Sequence, residues 1–401
     1  MPRLLFASLV IAGSAMPAAA SALFDACAEK GASHYEPGYE DIGPADRPQF
    51  YGYEAIEACG AALEEDPLNA QVQAWLGHAY VADDRPDLGV PHLEPAALAG
   101  NALALRTLGD LLMLGKGVEQ DKARGLAMLG RAADAGYVPA MLSLGYSYEF
   151  GDGVAPDPAV AMEHYLAAAE GGMVRAQLIV AAHYQQGVGV APDDAIAFGW
   201  LERAAATGDG EASYRLGVAH LEGRGTAIDE AAALVAFQVA SDAYDPRGST
   251  ALGYMTELGI GLDADPSAAA SLYYSGRTAN IAAAKHNLAR FEESGETGEI
   301  DLEAARELYQ QAARGGELRA AVNLALMQLS GAGGPQDIES ALRWMQRAAS
   351  GGNAAGLNNL GRMYEMGIGV PADPAEARRL YEAAAALGYA LAEDNLSALG
   401  G

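Results

Sequence analysis

The chain reads as an all-α solenoid of stacked helix hairpins, and three observations carry that reading. First, two columns recur every 36 residues: Gly115, Gly151, Gly187, Gly223, Gly259, Gly295, Gly331 and Gly367, and Asp121, Asp157, Asp193, Asp229, Asp265, Asp301, Asp337 and Asp373. A fixed period in the range of about 20–50 residues marks stacked supersecondary units in place of one globular core. Second, each copy holds two apolar runs of helical period separated by a Gly-x-Gly loop. Third, the composition is rich in Ala and Gly with only 7% aromatic residues, which suits short, closely packed helices.

The stretch Val138 to Met173 shows one unit. Leu144 recurs as Leu108, Leu216, Leu252, Leu288, Leu324 and Leu360, with Val180 in the third copy, and a Gly or Ala follows every Leu. Leu144 and Tyr148, four apart, share one helical face. The small residue after Leu suits a point where two helix axes cross closely. Gly151 and Gly153 supply positive φ, ending the first helix and turning the chain. Asp157 stands at the N-cap of a second helix, its carboxylate accepting from free N–H groups, and Pro156 keeps the chain extended ahead of it. That helix runs from Pro158 to about Glu170, buries Ala161, Tyr165 and Ala168, and stops at Gly171-Gly172.

The pattern A-x-x-x-L-G-x-x-Y-x-x-G-x-G-V-x-x-D, followed by an Ala-rich helix and a closing Gly, resembles the Sel-one-like repeat of the tetratricopeptide-like superfamily. The copy from Ala354 to Tyr389 is a particularly close match, with Leu360, Gly361, Tyr364, Gly367, Gly369, Val370, Asp373, Tyr381 and Gly388. The resemblance covers about residues 101–389 and implies a right-handed α-solenoid. It also implies a scaffold that binds other proteins.

Taken from its start, the chain opens with MPRLLFASLVIAGSAMPAAASA. Arg3 precedes an apolar run, and Ala20-Ser21-Ala22 fits a small-x-small cleavage pattern, so residues 1–22 read as a secretory signal peptide, cleaved after Ala22. An uncleaved anchor is the alternative. Localisation is then periplasmic or secreted. Cys27 and Cys59 are the only cysteines, and in an exported chain an even count reads as a disulfide, with two buried thiols as the alternative. Residues 23–100 form that tied segment plus divergent tetratricopeptide-like repeats: Ala55, Ala62 and Asp66-Pro67 end one, and Leu76, Gly77 and Tyr80 begin the next. Pro91 and Pro95 weaken the helix expected over about Leu88 to Leu98. Eight copies fill 101–389, and 390–401 begins a ninth first helix as a C-terminal cap. The fourth and fifth copies close with Tyr244 and Asn280 in place of Gly, and the sixth has Glu-Thr-Gly at 296–298, without the second loop glycine in register.

Composition and motifs exclude several classes. A net charge of −28 repels nucleic acid and anionic lipid, and no basic run offsets it. The Gly-x-Gly elements follow helices rather than strands, so they are not nucleotide loops. Seven histidines are scattered without metal-ligand spacing, no G-x-S-x-G elbow occurs, and neither a cofactor, a metal nor catalysis is expected.

What remains is the concave face, which the resemblance assigns to the first helices. On the same ground, the positions one before and two after the Leu column face the groove. The first of these holds a ladder, Asn287, Asn323 and Asn359, whose amides can grip an extended peptide backbone; bonding between neighbouring helices is the alternative. Arg290 and Arg362 lie one turn along, suited to acidic side chains or a carboxylate. Arg215 and Arg319, with Arg175 and Arg247, make the groove less negative than the rest. Tyr146 and Tyr254 are the available aromatic platforms. The expected function is a non-enzymatic periplasmic scaffold or adaptor that regulates or assembles an envelope protein. A scaffold for exopolysaccharide export or cell-wall assembly, with a glycan partner, comes second, and a secreted hydrolase third.

Overall fold

In a computed structural model of the protein, residues 21–39, 41 and 52–399 are described, and every regular element among them is a helix. Residues 1–20 of the expected signal segment lie outside them. Ser21 and Ala22 begin the first described helix, Ser21–Gly31. The chain divides into two compact units, Met1–Ala197 and Phe198–Gly401.

From Ala102 onward first and second helices alternate at the predicted spacing, as in Val138–Phe150 and Pro158–Glu170. The joint between them is the same in every copy. The backbone N–H of the cap-column Asp donates to the carbonyl nine residues upstream, from Asp121 to Leu112 through Asp373 to Tyr364, at 2.8–3.0 Å. Its carboxylate accepts from backbone N–H groups two or three residues on, at 2.9–3.2 Å. One residue thus satisfies an orphaned carbonyl at one helix end and orphaned donors at the next. The Gly column ahead of it sits at φ 66–77° throughout. The sixth copy, lacking the second loop glycine, keeps the Asp301 to Glu292 bond at 2.9 Å.

The small residue after the Leu column is where a second-helix side chain lies against the first helix. A Cβ on Gly145 would come within 2.3 Å of Tyr165, and one on Gly361 within 2.7 Å of Tyr381. Those rings are fully buried, as are Tyr273, Tyr309 and Phe237 at the same position of other copies. In the second unit Tyr273 and Tyr309, with Leu288, Leu324 and Met345, belong to one continuous apolar cluster, while Phe237 and Tyr381 anchor two smaller ones.

The first unit closes at its N-terminal end around Trp75. Phe24 and Tyr39 pack on its ring at 5.3 and 5.0 Å. The buried Glu36 carboxylate accepts from Trp75 Nε1, Gln71 Nε2 and the Ser33 N–H. The Cys27–Cys59 disulfide ties the helix Ser21–Gly31 to the helix Gly52–Glu65. Pro91 and Pro95 do not break their helix, which runs Pro86–Leu98. Both are exposed, so water reaches the carbonyls they leave unpaired.

Tyr244 and Asn280, in the closing-glycine column, adopt φ 61° and 66°, the left-handed conformation the glycines take elsewhere. The sequence departs there and the backbone does not. A left-handed non-glycine residue costs about 1–2 kcal/mol, and the Tyr244 side chain is 93% exposed and recovers little of it. Tyr244→Gly is therefore expected to raise stability by about 1 kcal/mol, and Gly172→Tyr, at φ 87° in open space, to lower it by a similar amount. Urea titration followed by circular dichroism checks both.

Candidate partner-binding site

The Leu column is buried, apart from the half-buried Leu216. Two residues on, the side chains reach the surface: Tyr254, Leu326 and Arg362 are exposed, and Asp110, Tyr146 and Arg290 half-buried. One residue before it, the side chains turn inward: Thr107 and Asn287 are buried, and Arg215, Asn323 and Asn359 half-buried.

The hairpins carry one further bond that the sequence pattern alone did not reveal. In four copies the buried second-helix tyrosine donates its hydroxyl to a glutamate near the end of the first helix: Tyr165 to Glu149, Tyr273 to Glu257, Tyr309 to Glu293 and Tyr381 to Glu365, at 2.5–2.8 Å. Burial, then the facing glutamate, pushes all four phenols well above the usual tyrosine range. The pairing is visible as a co-occurrence 16 residues apart. Where the second-helix position is Leu129, Leu201, Phe237 or Met345, the first-helix position is Met113, Gln185, Leu221 or Leu329, never Glu.

The asparagine ladder lies against this network. The Asn287 amide works against the upward shift of the Tyr273 phenol, and the Asn323 amide against that of Tyr309, each from the following copy. Asn287 and Asn323 thus stand beside the phenols of the neighbouring hairpins. The ladder extends one step further than expected, to Asn395, which donates to the buried Asn358 at 2.7 Å.

The arginines are mostly spoken for. Arg290 pairs with Glu257 at 2.9 Å, Arg319 with Glu317 at 2.9 Å, Arg215 with Glu211, and Arg247 with Asp245 at 2.6 Å. Burial acts to raise the Glu317 carboxyl, but the hydrogen bond and charge of Arg319 hold it below the usual range. Arg362 is exposed and makes no ion pair among the described residues. Tyr254 is 43% exposed, whereas the Tyr146 hydroxyl accepts from Arg175 Nε at 2.8 Å. Beside the second-unit network sits His286, buried with its Nδ1 unpartnered; burial, then Arg319, lowers its pKa to about 4.

Paired helices, invariant joints and a variable exposed column define a helical-repeat scaffold of the all-α class. The chain belongs to the Sel1 repeat family: residues 102–137, 138–173, 174–209, 210–237, 246–277, 282–317, 318–353 and 354–389 match the Sel1 repeat. The fourth and fifth matches stop short of Tyr244 and Asn280. The fold is similar to that of c5321, a protective antigen present in uropathogenic Escherichia coli strains displaying an SLR fold. Identity is 25%, with 87% of this chain and 83% of that one covered and a TM-score of 0.58. It is likewise similar to a Sel1 repeat protein from Oxalobacter formigenes, at 27% identity over 77% of this chain and 90% of that one, TM-score 0.58. No protein of curated function matches it. Sel1-repeat proteins are generally protein-interaction scaffolds.

Two predictions follow from the network. Glu257→Leu leaves the buried Tyr273 hydroxyl without its acceptor and should cost about 1–3 kcal/mol. The double variant Tyr273→Phe/Glu257→Leu, which reproduces the apolar pair of the fourth copy, should recover most of that loss. A double-mutant cycle by urea denaturation gives the coupling directly. For His286 the folded pKa lies below the ordinary value of 6.5. The neutral form is favoured by folding, so its stability is full above about pH 6.5 and is lost as pH falls toward about 4. The loss should reach about 3 kcal/mol, and His286→Gln should flatten the profile over that window.

Proposed function

We propose that this protein is a non-enzymatic, exported adaptor that binds another protein of the cell envelope through the exposed positions of its first helices. The observation that carries the reading is the contrast between two columns on those helices. The Leu column is nearly constant and buried. The column two residues on runs Asp110, Tyr146, Ala182, Val218, Tyr254, Arg290, Leu326, Arg362, half-buried to exposed throughout. Packing fixes the first, and partner choice sets the second. Membership of a family of interaction scaffolds supports the same reading. Export is supported by Arg3, the apolar run and the Ala-Ser-Ala motif of residues 1–22, and by the disulfide, a bond that persists in oxidising compartments.

Export and binding are tested separately. A fusion of residues 1–40 to a reporter that is active only outside the cytoplasm should be active, and the full-length protein should be shortened after Ala22. Tagged mature protein should then capture a specific envelope protein, and Tyr254→Ala/Arg362→Glu should weaken that capture about tenfold, the scale of losing a central contact. Retention of the first 22 residues on a cytoplasmic protein, or capture no different from that of an unrelated acidic repeat protein, sinks the corresponding half.

A further inference from the structure

A cleft of about 750 Å³ opens in the first unit along the first helices Ala102–Leu114 and Val138–Phe150, with Arg175 of the helix Val174–Gln186 at its border. Its floor is apolar because the first copy lacks the tyrosine–glutamate pair: Met113 and Leu129 stand at those two positions and pack on Leu144. At its rim are Leu114, 68% exposed, and Phe150, 71% exposed. They occupy the same column in adjacent copies. The column continues as Gln186, Glu222, Leu258, Ser294, Ser330 and Met366, so two apolar neighbours in succession occur only here.

The charges of the cleft do not cancel. Arg106 pairs with Asp110 at 2.9 Å and Lys122 with Asp152 at 2.7 Å. Arg175 has no carboxylate among the described residues; its Nε donates to the neutral Tyr146 hydroxyl at 2.8 Å, and its guanidinium lies 5.5 Å from that ring. In a chain of net charge −28, an arginine without a carboxylate beside two exposed apolar side chains is a local reversal of the prevailing surface.

We propose that this cleft binds an extended segment of a protein partner in which a bulky apolar side chain neighbours a carboxylate. The apolar side chain covers Leu114 and Phe150 over the Met113–Leu129 floor, and the carboxylate pairs with the Arg175 guanidinium. The inference rests on the adaptor reading and gives it a place and a ligand chemistry. A neutral sugar fits less well: it leaves Arg175 without a counter-charge, and the Tyr146 ring is already engaged by that guanidinium and by the Phe150 ring at 6.2 Å.

The test uses the oxidised full-length chain and three labelled peptides, acetylated and amidated at their ends: Gly-Asp-Phe-Asp-Gly, Gly-Lys-Phe-Lys-Gly and Gly-Asp-Ala-Asp-Gly. Fluorescence anisotropy at low salt is expected to show the first binding about tenfold tighter than either other peptide, since it alone supplies both groups. Arg175→Glu and Phe150→Ala should each weaken it about tenfold, with unchanged helicity, and Arg314→Glu, at an exposed position of the second helix Leu302–Arg314 in the other unit, should not. Leu114→Asp, at an exposed position, is the second rim variant should Phe150→Ala lose helicity. Equal binding of the three peptides, no binding of any, indifference to Arg175→Glu, or displacement by an acidic oligosaccharide better than by the peptide each overturn the proposal. Capture of an envelope partner distinguishes the two readings. If Arg175→Glu captures it as wild type does and the peptides do not discriminate, the cleft is wrong and the adaptor stands.

Discussion

The aspartate at the joint of each hairpin is the residue on which the rest of the architecture depends. Its backbone N–H and its carboxylate act in opposite directions along the chain, one closing the end of the first helix and the other opening the second. Because both ends are satisfied by one residue, the loop between them has a fixed length. That is why the 36-residue period tolerates no insertion across eight copies. The sixth copy shows that the second glycine is dispensable, since the Asp301 joint forms without it.

With the joint fixed, the two helices of a hairpin meet at one place, and the second-helix ring is pressed against the glycine or alanine of the first. A tyrosine there buries its ring and must find a partner for its hydroxyl, since a buried unpaired hydroxyl costs about 1–3 kcal/mol. The glutamate four residues past the small residue supplies it. Both states of the pair are self-consistent, tyrosine with glutamate or an apolar ring or chain without it. The first copy takes the second state, and its cleft floor is apolar for that reason. A packing alternative thus sets the polarity of the surface above it.

Period, helix ends, caps and the disulfide were readable because each depends on residues close in sequence or on a count. What was not readable depends on partners brought together by the joint. Glu149 and Tyr165 lie 16 residues apart across a loop, a spacing with no meaning until the hairpin closes. Asn287 and Asn323 were legible as a ladder but not as neighbours of the Tyr273 and Tyr309 phenols, because those lie one copy back. Pro91 and Pro95 argued against a helix that forms because both face water. Tyr244 departs from the closing glycine in sequence only, since its backbone keeps the glycine conformation.

The arginines make the same point for recognition. Six of them on first helices suggest a groove less negative than the whole, yet Arg215, Arg247, Arg290 and Arg319 each have a carboxylate within 4 Å. An exposed arginine paired in this way contributes about 0–1 kcal/mol and presents little net field to an incoming ligand. Attraction toward an anion comes from the arginines left over. Arg362 stands exposed, but Arg175 is also held, by a phenol that fixes its position without neutralising it. A guanidinium oriented by a neutral group loses less conformational freedom on binding while keeping its full charge. In so acidic a protein, the choice of a tyrosine over a carboxylate beside Arg175 leaves that arginine, like Arg362, with its charge unneutralised.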